Sequence, residues 1–201
     1  MLQKTAITQT NIHDLMAKRW SPRAFAADKP VSDSELLALF EAARWSPSCF
    51  NDQPWRFIMC NKFDDDRAWQ QALSVINEKN QRWAKNAPVL ILVTAMTHFN
   101  HNGSPNRHAL YDTGAACMSL CLQAAALGLS THQMGGFSIE QAISVFNLPE
   151  QCQPISMLAL GYQADASLLD DDFQASELAP RSRQALNAQV FAKHWQQPAF
   201  D

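Results

Sequence analysis

SPSCFNDQPWRF, residues 46–57, joins a helix-forming segment to a strand-forming one, and the reading of the chain turns on it. Pro47 and Pro54 each remove a backbone donor and stiffen the path at both ends, while Ser48, Asn51 and Gln53 place donors and acceptors between them. A planar ligand with polar edges suits such a loop. Upstream, Ser32 with Glu35 reads as a capping box, and Leu36, Leu37, Phe40 and Ala43 form the buried stripe of the helix that delivers the chain to it. Downstream, WRFIMC has the aromatic and branched side chains of a strand. Taken alone, the loop also reads as one whose Asn and Ser satisfy their own backbone. Its meaning depends on its company.

Working outward, Thr10 or Asn11 caps a short helix containing Ile12, Leu15 and Met16, which ends at Lys18 and Arg19 before RWSPRAF, residues 19–25, breaks the pattern. The acidic runs Asp64 to Asp66 and Asp170 to Asp172 read as helix starts, where negative charge complements the macrodipole, rather than as metal sites. Pro88 introduces VLILVTAM, the best central strand, and the polar loop HFNHNGSPN follows it. A long helix then runs from Asn106 or Arg107 to Leu127, with Leu110, Gly114, Cys117, Met118, Cys121, Leu122 and Ala125 on one stripe and Gly128 at its end. Gly114, Ala115 and Ala116 would admit a close helix contact. Thr131 to Met134 is a short strand, Gly135-Gly136 a turn, Ser138 with Gln141 a second capping box, and Ile155 to Tyr162 the last strand. The irregular alternation predicts an α+β fold with a mixed central sheet covered by helices, in a single domain over residues 1–201.

Composition narrows the function. With 201 residues and 47% hydrophobic content the chain can bury a full core without disulfide staples. A net charge of -3 argues against nucleic acid as partner. The five cysteines (Cys49, Cys60, Cys117, Cys121, Cys152) form no CxxC pair and point to reduced thiols in a cytoplasmic protein. No apolar run is long enough to span a membrane, and the first residues lack an apolar signal core.

Three further groups could carry chemistry. Arg19 and Arg23 in RWSPRAF, and Arg181 and Arg183 in APRSRQAL, are flanked by Ser21 and Ser182, a combination that suits a phosphate. In THQMGGF, Gly135 and Gly136 would let a ligand approach the backbone. His98, His101 and His108 lack a ligand scaffold for zinc, so their loop, with Phe99 and Tyr111, reads as a substrate mouth.

In this order, RWSPRAF, AARWSPSCFNDQPWRF, NQRWAKNAPVLILV, DTGAACMSLCLQAAALGLSTHQMGGF, MLALGY and PRSR resemble the FMN-dependent nitroreductase family over roughly residues 12–190. The resemblance implies an intertwined homodimer with FMN at the subunit interface and NADH or NADPH as electron donor. Carried over by position, Arg19, Trp20, Ser21 and Arg23 form the first FMN-contacting group, with Arg19 at the phosphate and Arg23 at the pyrimidine edge near N1 and O2. Pro47, Ser48, Cys49 and Asn51 come from the partner subunit to cover the ring and ribityl chain, supported by Gln53. Asn77 or Asn80 faces the flavin, Gly135 and Gly136 bring a backbone N–H to N5, and Arg181 and Arg183 close the phosphate clamp. Cys49 stands where serine is common, Gln163 where proline is frequent, and Gln184-Ala185 where a basic-proline pair is usual.

What the resemblance implies chemically is hydride transfer by a ping-pong route to a nitroaromatic, quinone or similar small acceptor, which needs no general base. That agrees with a chain lacking GxSxG, HExxH, Walker and GxGxxG motifs. Two other readings remain open at this level: a same-fold flavoenzyme with a dedicated metabolite in dehalogenation or dehydrogenation, and a non-catalytic flavin-binding module.

Overall fold

In a computed structural model, which describes residues 2–200, the apolar run after Pro88 becomes the inner strand β2 (Val89–Met96). Alternation along it feeds two cores. Leu90 and Leu92 face one side, with Phe25, Trp69, Trp83, Met157 and Phe173. Val89, Ile91 and Val93 face the other, with Leu36, Leu39, Ala116, Leu120 and Leu158. A strand buried on both faces needs no polar residue until Thr94, which explains its unbroken hydrophobicity.

The other strands are β1 (Trp55–Asn61), β3 (Ser130–Met134) and β4 (Cys152–Gly161), in the spatial order β1-β2-β4-β3. All three pairings are antiparallel, so the expected mixed sheet is corrected to an antiparallel one. β2 and β3 do run the same way, but β4 lies between them and prevents their pairing. The α+β class stands.

The helices are α1 (Asp14–Lys18), α2 (Asp33–Arg44), α3 (Asp66–Ser74), α4 (Glu78–Ala84), α5 (Ala109–Ala126), α6 (Ile139–Val145) and α7 (Asp171–Leu178). The Ser32–Glu35 capping box is present in both directions. At Ser138 only half of one forms: its side chain accepts from the Gln141 N–H without a return bond. α1 is capped by His13, whose Nδ1 accepts from the Leu15 N–H at 3.2 Å, and not by Thr10 or Asn11. The acidic runs start helices as expected, with Asp65 capping α3 and Asp170 preceding α7. Among the described residues no helix is long and apolar enough to cross a membrane.

Two stripes were misplaced. On α2 the buried positions are Leu36, Leu39 and Ala43, while Leu37 is 71% exposed. On α5 they are Ala109, Asp112, Thr113, Ala116, Cys117, Leu120, Cys121 and Ala124, leaving Leu110, Gly114 and Met118 outside. α5 is apolar nearly all round, so periodicity alone permits more than one inward face. No atom lies within ordinary contact of a Cβ placed on Gly114, so the close contact predicted there is not made within the chain.

Candidate functional site

Residues 46–54 form a tight, strained connection. Phe50, Asn51 and Gln53 take φ of 54°, 53° and 51°, a region that costs a non-glycine residue of order 1–3 kcal/mol. Hydrogen bonds hold it there. The Cys49 N–H donates to the buried Asp112 carboxylate at 3.0 Å, Ser46 and Ser119 share a hydroxyl bond of 2.7 Å, and the Gln53 N–H donates to Ser48 Oγ at 3.0 Å. Asp52, also buried, accepts from the Asn100 N–H at 2.8 Å and from Asn106 Nδ2 at 3.3 Å. Gln53 Nε2 donates to the Asn51 carbonyl. The Asn51 side-chain amide keeps its bonds free among the described residues. Phe50 projects into solvent beside Phe99 and His101, at ring separations of 5.8 and 5.6 Å.

The segment RWSPRAF lies at the other end of α5, against β3 and α4. His132 of β3 donates through Nδ1 to the Pro22 carbonyl at 2.9 Å, its ring 4.5 Å from that of Trp83, which in turn stacks on Phe25. Burial, with Arg23 and Arg19 nearby, pushes the His132 imidazole down to about 4, so it is neutral at physiological pH. The Glu177 carboxylate, 1% exposed, accepts from the backbone N–H groups of Arg23 and Ala24. Asp112, His132 and Glu177 carried no role in the sequence reading, because each acts through a partner more than forty positions away; Asp112 and His132 do lie inside the segments DTGAACMSLCLQAAALGLSTHQMGGF and THQMGGF, whose glycines drew the attention.

Three guanidinium groups gather beside this segment. Arg19 donates to Ser21 Oγ at 3.3 Å, Arg183 donates to the neighbouring Ser182 carbonyl, and Arg181 is anchored by the carbonyls of Lys4 and Ala17 at 2.6 and 2.8 Å. Burial first, and then the charges of Arg19 and Arg183, lower the Arg181 pKa, which puts the three cations within electrostatic reach of one another. Among the described residues none of the three is paired with a carboxylate, whereas Arg23 lies 3.9 Å from Glu177. Three neighbouring cations without a carboxylate partner among the described residues fit a phosphate dianion. Beside them a cavity of about 260 Å³ is lined by Lys4, Arg19, Trp20, Cys121 and Thr131, among others.

β3 runs from this cavity to the Gly-Gly turn. Asn77 caps α4 through its side chain, accepting from the Asn80 N–H at 2.9 Å, and its own N–H donates to the Gly136 carbonyl at 3.0 Å. Asn80 Nδ2 also points to that carbonyl, at 3.4 Å. A Cβ on Gly136 would collide with both amides, while Gly135 is exposed and open. Asn77 and Asn80 therefore both sit at the turn, Asn77 engaged by its cap and Asn80 with its side-chain oxygen free among the described residues.

One chain does not bring all predicted residues together. Arg19, Trp20, Ser21, Arg23, Arg181 and Arg183 lie along one rim that leads by β3 to Gly135, Gly136, Asn77 and Asn80. Cys49 and its loop are fastened at Asp112 near the start of α5, whereas the cavity reaches Cys121 and Ala125, ~14–20 Å further along the helix at about 1.5 Å per residue. α5 exposes Leu110, Tyr111 and Met118, and α2 with its C-cap exposes Leu37 and Trp45.

The sequence profile of the nitroreductase family matches residues 16–162, and the chain belongs to that family. A crystal structure described as an oxidoreductase containing FMN is 34% identical, with a TM-score of 0.91 over 98% of this chain and 99% of that one. A protein of Desulfovibrio desulfuricans solved in complex with FMN is 23% identical and shares the fold, with a TM-score of 0.70 over 94% of this chain and 99% of its own. YodC of Bacillus subtilis, whose name places it provisionally among NAD(P)H nitroreductases, is 25% identical over 76% of this chain and 89% of its own.

Proposed function

We propose that the protein is an FMN-dependent oxidoreductase that takes hydride from NADH or NADPH and delivers it to a small acceptor, a nitroaromatic or a quinone, in alternating half-reactions. The observation that carries this reading is the group of three arginines with no carboxylate partner among the described residues, set on the same rim as the Gly-Gly turn. The FMN of the 34% identical structure supports it.

When bound, FMN supplies N5 as the hydride-accepting atom and takes up negative charge near N1 and O2 on reduction. Arg19, Arg181 and Arg183 would hold its phosphate, with Ser21 completing the donor set. Arg23 has a side chain 30% exposed and no hydrogen-bond partner for its N–H groups among the described residues, which leaves them for the pyrimidine edge, where a fixed cation stabilises the charge gained. The open backbone at Gly135 permits close approach to N5, and Asn80 offers the turn a polar neighbour.

The ring would then need cover, and the loop Pro47, Ser48, Cys49, Asn51 and Gln53 lies too far along α5 to give it within its own chain. A homodimer meets the requirement: pairing through the exposed face of α5 and α2 buries Leu110, Tyr111, Met118 and Leu37 and carries each loop to the other chain's rim. Each site is then built from two chains.

The deciding experiment is the visible absorption spectrum of the purified protein before and after anaerobic NADPH or NADH, with the released chromophore identified by mass. A yellow protein that releases FMN and bleaches is the expected result. A colourless protein that cannot be reconstituted with FMN overturns the cofactor, and a yellow protein that neither donor bleaches overturns the NAD(P)H step.

A further inference from the structure

We infer that Glu177 is a positioning residue for the flavin chemistry: it clamps Arg23 in place and offsets its charge, so that the pair, rather than Arg23 alone, sets how readily the bound flavin is reduced. This rests on the FMN reading above.

Glu177 lies in the last turn of α7, where a negative charge meets the negative end of the helix dipole. It is also 1% exposed, so its charge has lost most of its hydration. Both effects work against an acid at this position. What surrounds it is a set of donors from a single segment: Oε1 accepts from the N–H of Arg23 at 2.9 Å and of Ala24 at 3.2 Å, Oε2 accepts from Arg23 N–H at 3.1 Å and stands 3.9 Å from Arg23 Nη1. The Lys4 ammonium donates to the Glu177 backbone carbonyl at 2.8 Å.

Two backbone N–H groups need only a neutral acceptor, which glutamine would provide without a buried charge. The charge acts on the guanidinium. At 3.9 Å it is an ion pair without a direct hydrogen bond, so it draws the guanidinium toward the carboxylate and leaves the arginine N–H groups unspent. The Arg23 carbon also lies 5.9 Å from the Phe173 ring centre, which closes a second side of the guanidinium. The outcome is an arginine with one edge held and one edge free. Its field at the free edge is that of a cation partly cancelled by a carboxylate behind it, and a reduced flavin placed there gains less stabilisation than a lone arginine would give.

The test compares wild type, E177Q, E177D and R23Q, each loaded with FMN, by equilibrating the bound flavin anaerobically with a reference dye of known potential and by measuring FMN affinity from fluorescence. E177Q is expected to shift the equilibrium at least about tenfold toward reduced flavin, a rise of about 30 mV for a two-electron couple. E177D, which keeps the charge, stays within about threefold of wild type. R23Q shifts the equilibrium the opposite way by at least about threefold. A purely structural Glu177 would lower stability or FMN affinity in E177Q and leave the potential alone, and that result overturns the inference. An E177D shift as large as that of E177Q overturns it too. If E177Q does not fold, R23Q and E177D decide: an unmoved potential in R23Q refutes the pair. A wild type that binds no FMN refutes the functional reading itself and is recognised before any variant is compared.

Discussion

The Cys49 backbone N–H meets the Asp112 carboxylate at 3.0 Å, and this one bond ties the strained loop to the first turn of α5. Asp112 also places its charge where the helix N-terminus favours it. Replacing it with alanine leaves a half-buried N–H without a partner and removes one of the bonds that hold three residues at positive φ. D112A is expected to lose about 1–3 kcal/mol of stability, read as a lower urea midpoint with an unchanged slope. D112N, which keeps an acceptor, should lose less than half as much. Equal losses would show that the carboxylate acts through charge and not through the Cys49 bond.

The arginine group makes its own prediction. Removing the side chains in R181A/R183A takes two charge-assisted contacts from a phosphate, each worth about 1.5–3 kcal/mol, so FMN dissociation should rise at least about a hundredfold. The affinity of the variant should also respond less to salt than that of wild type. The R181A change carries a second effect, since Arg181 ties the carbonyls of Lys4 and Ala17 together, so R181A, alone or in the double variant, should lower the melting temperature while R183A alone should not. Retained FMN affinity in the double variant would remove both residues from the clamp.

Gly136 has no room for a side chain. A Cβ there meets the Asn80 amide nitrogen at 2.8 Å and the Asn77 amide more closely, and Asn77 cannot retreat without giving up its cap on α4. G136A should cost about 1–3 kcal/mol of stability, while G135A, with open space around it, should leave the urea midpoint nearly unchanged. If FMN binds at this turn, G135A should still weaken it, because the added methyl would stand where the ligand approaches. A G135A protein with wild-type stability and wild-type FMN affinity would move the ligand away from Gly135.

How much of this was legible beforehand follows from the range of the forces involved. The capping box at Ser32, the strand VLILVTAM, the acidic helix starts and the glycine that ends α5 are local devices, with donors and acceptors within a few residues, and all were read correctly. The antiparallel sheet was not, because strand direction is decided by where β4 inserts, between two strands that precede it in the chain. The inward face of α5 was misread for a physical reason: Leu110 and Met118 on its outer face are as apolar as the residues inside. The arginines were legible as two sequence pairs. Their regrouping, with Arg19 beside Arg181 and Arg183 while Arg23 turns to Glu177, depends on a helix that arrives more than 150 residues later.

His132 supplies a pH test of the rim. Its folded pKa is depressed from an ordinary 6.5 to about 4, chiefly by burial, while the Pro22 carbonyl works the other way by accepting its proton. Between those two values the unfolded chain binds a proton that the folded chain refuses. Stability from this residue is therefore complete above about pH 6.5, falls as the pH drops toward 4, and changes no further below that. At about 1.4 kcal/mol per unit the loss is at most about 3–4 kcal/mol. Urea unfolding of wild type and H132N at several pH values between 7 and 4 would isolate it, since the asparagine amide can still donate to Pro22 but does not titrate. The difference in stability between the two proteins should change in favour of H132N as the pH falls. Parallel curves would mean that the imidazole takes up its proton as readily in the folded protein as in the unfolded chain, and that burial does not hold it neutral.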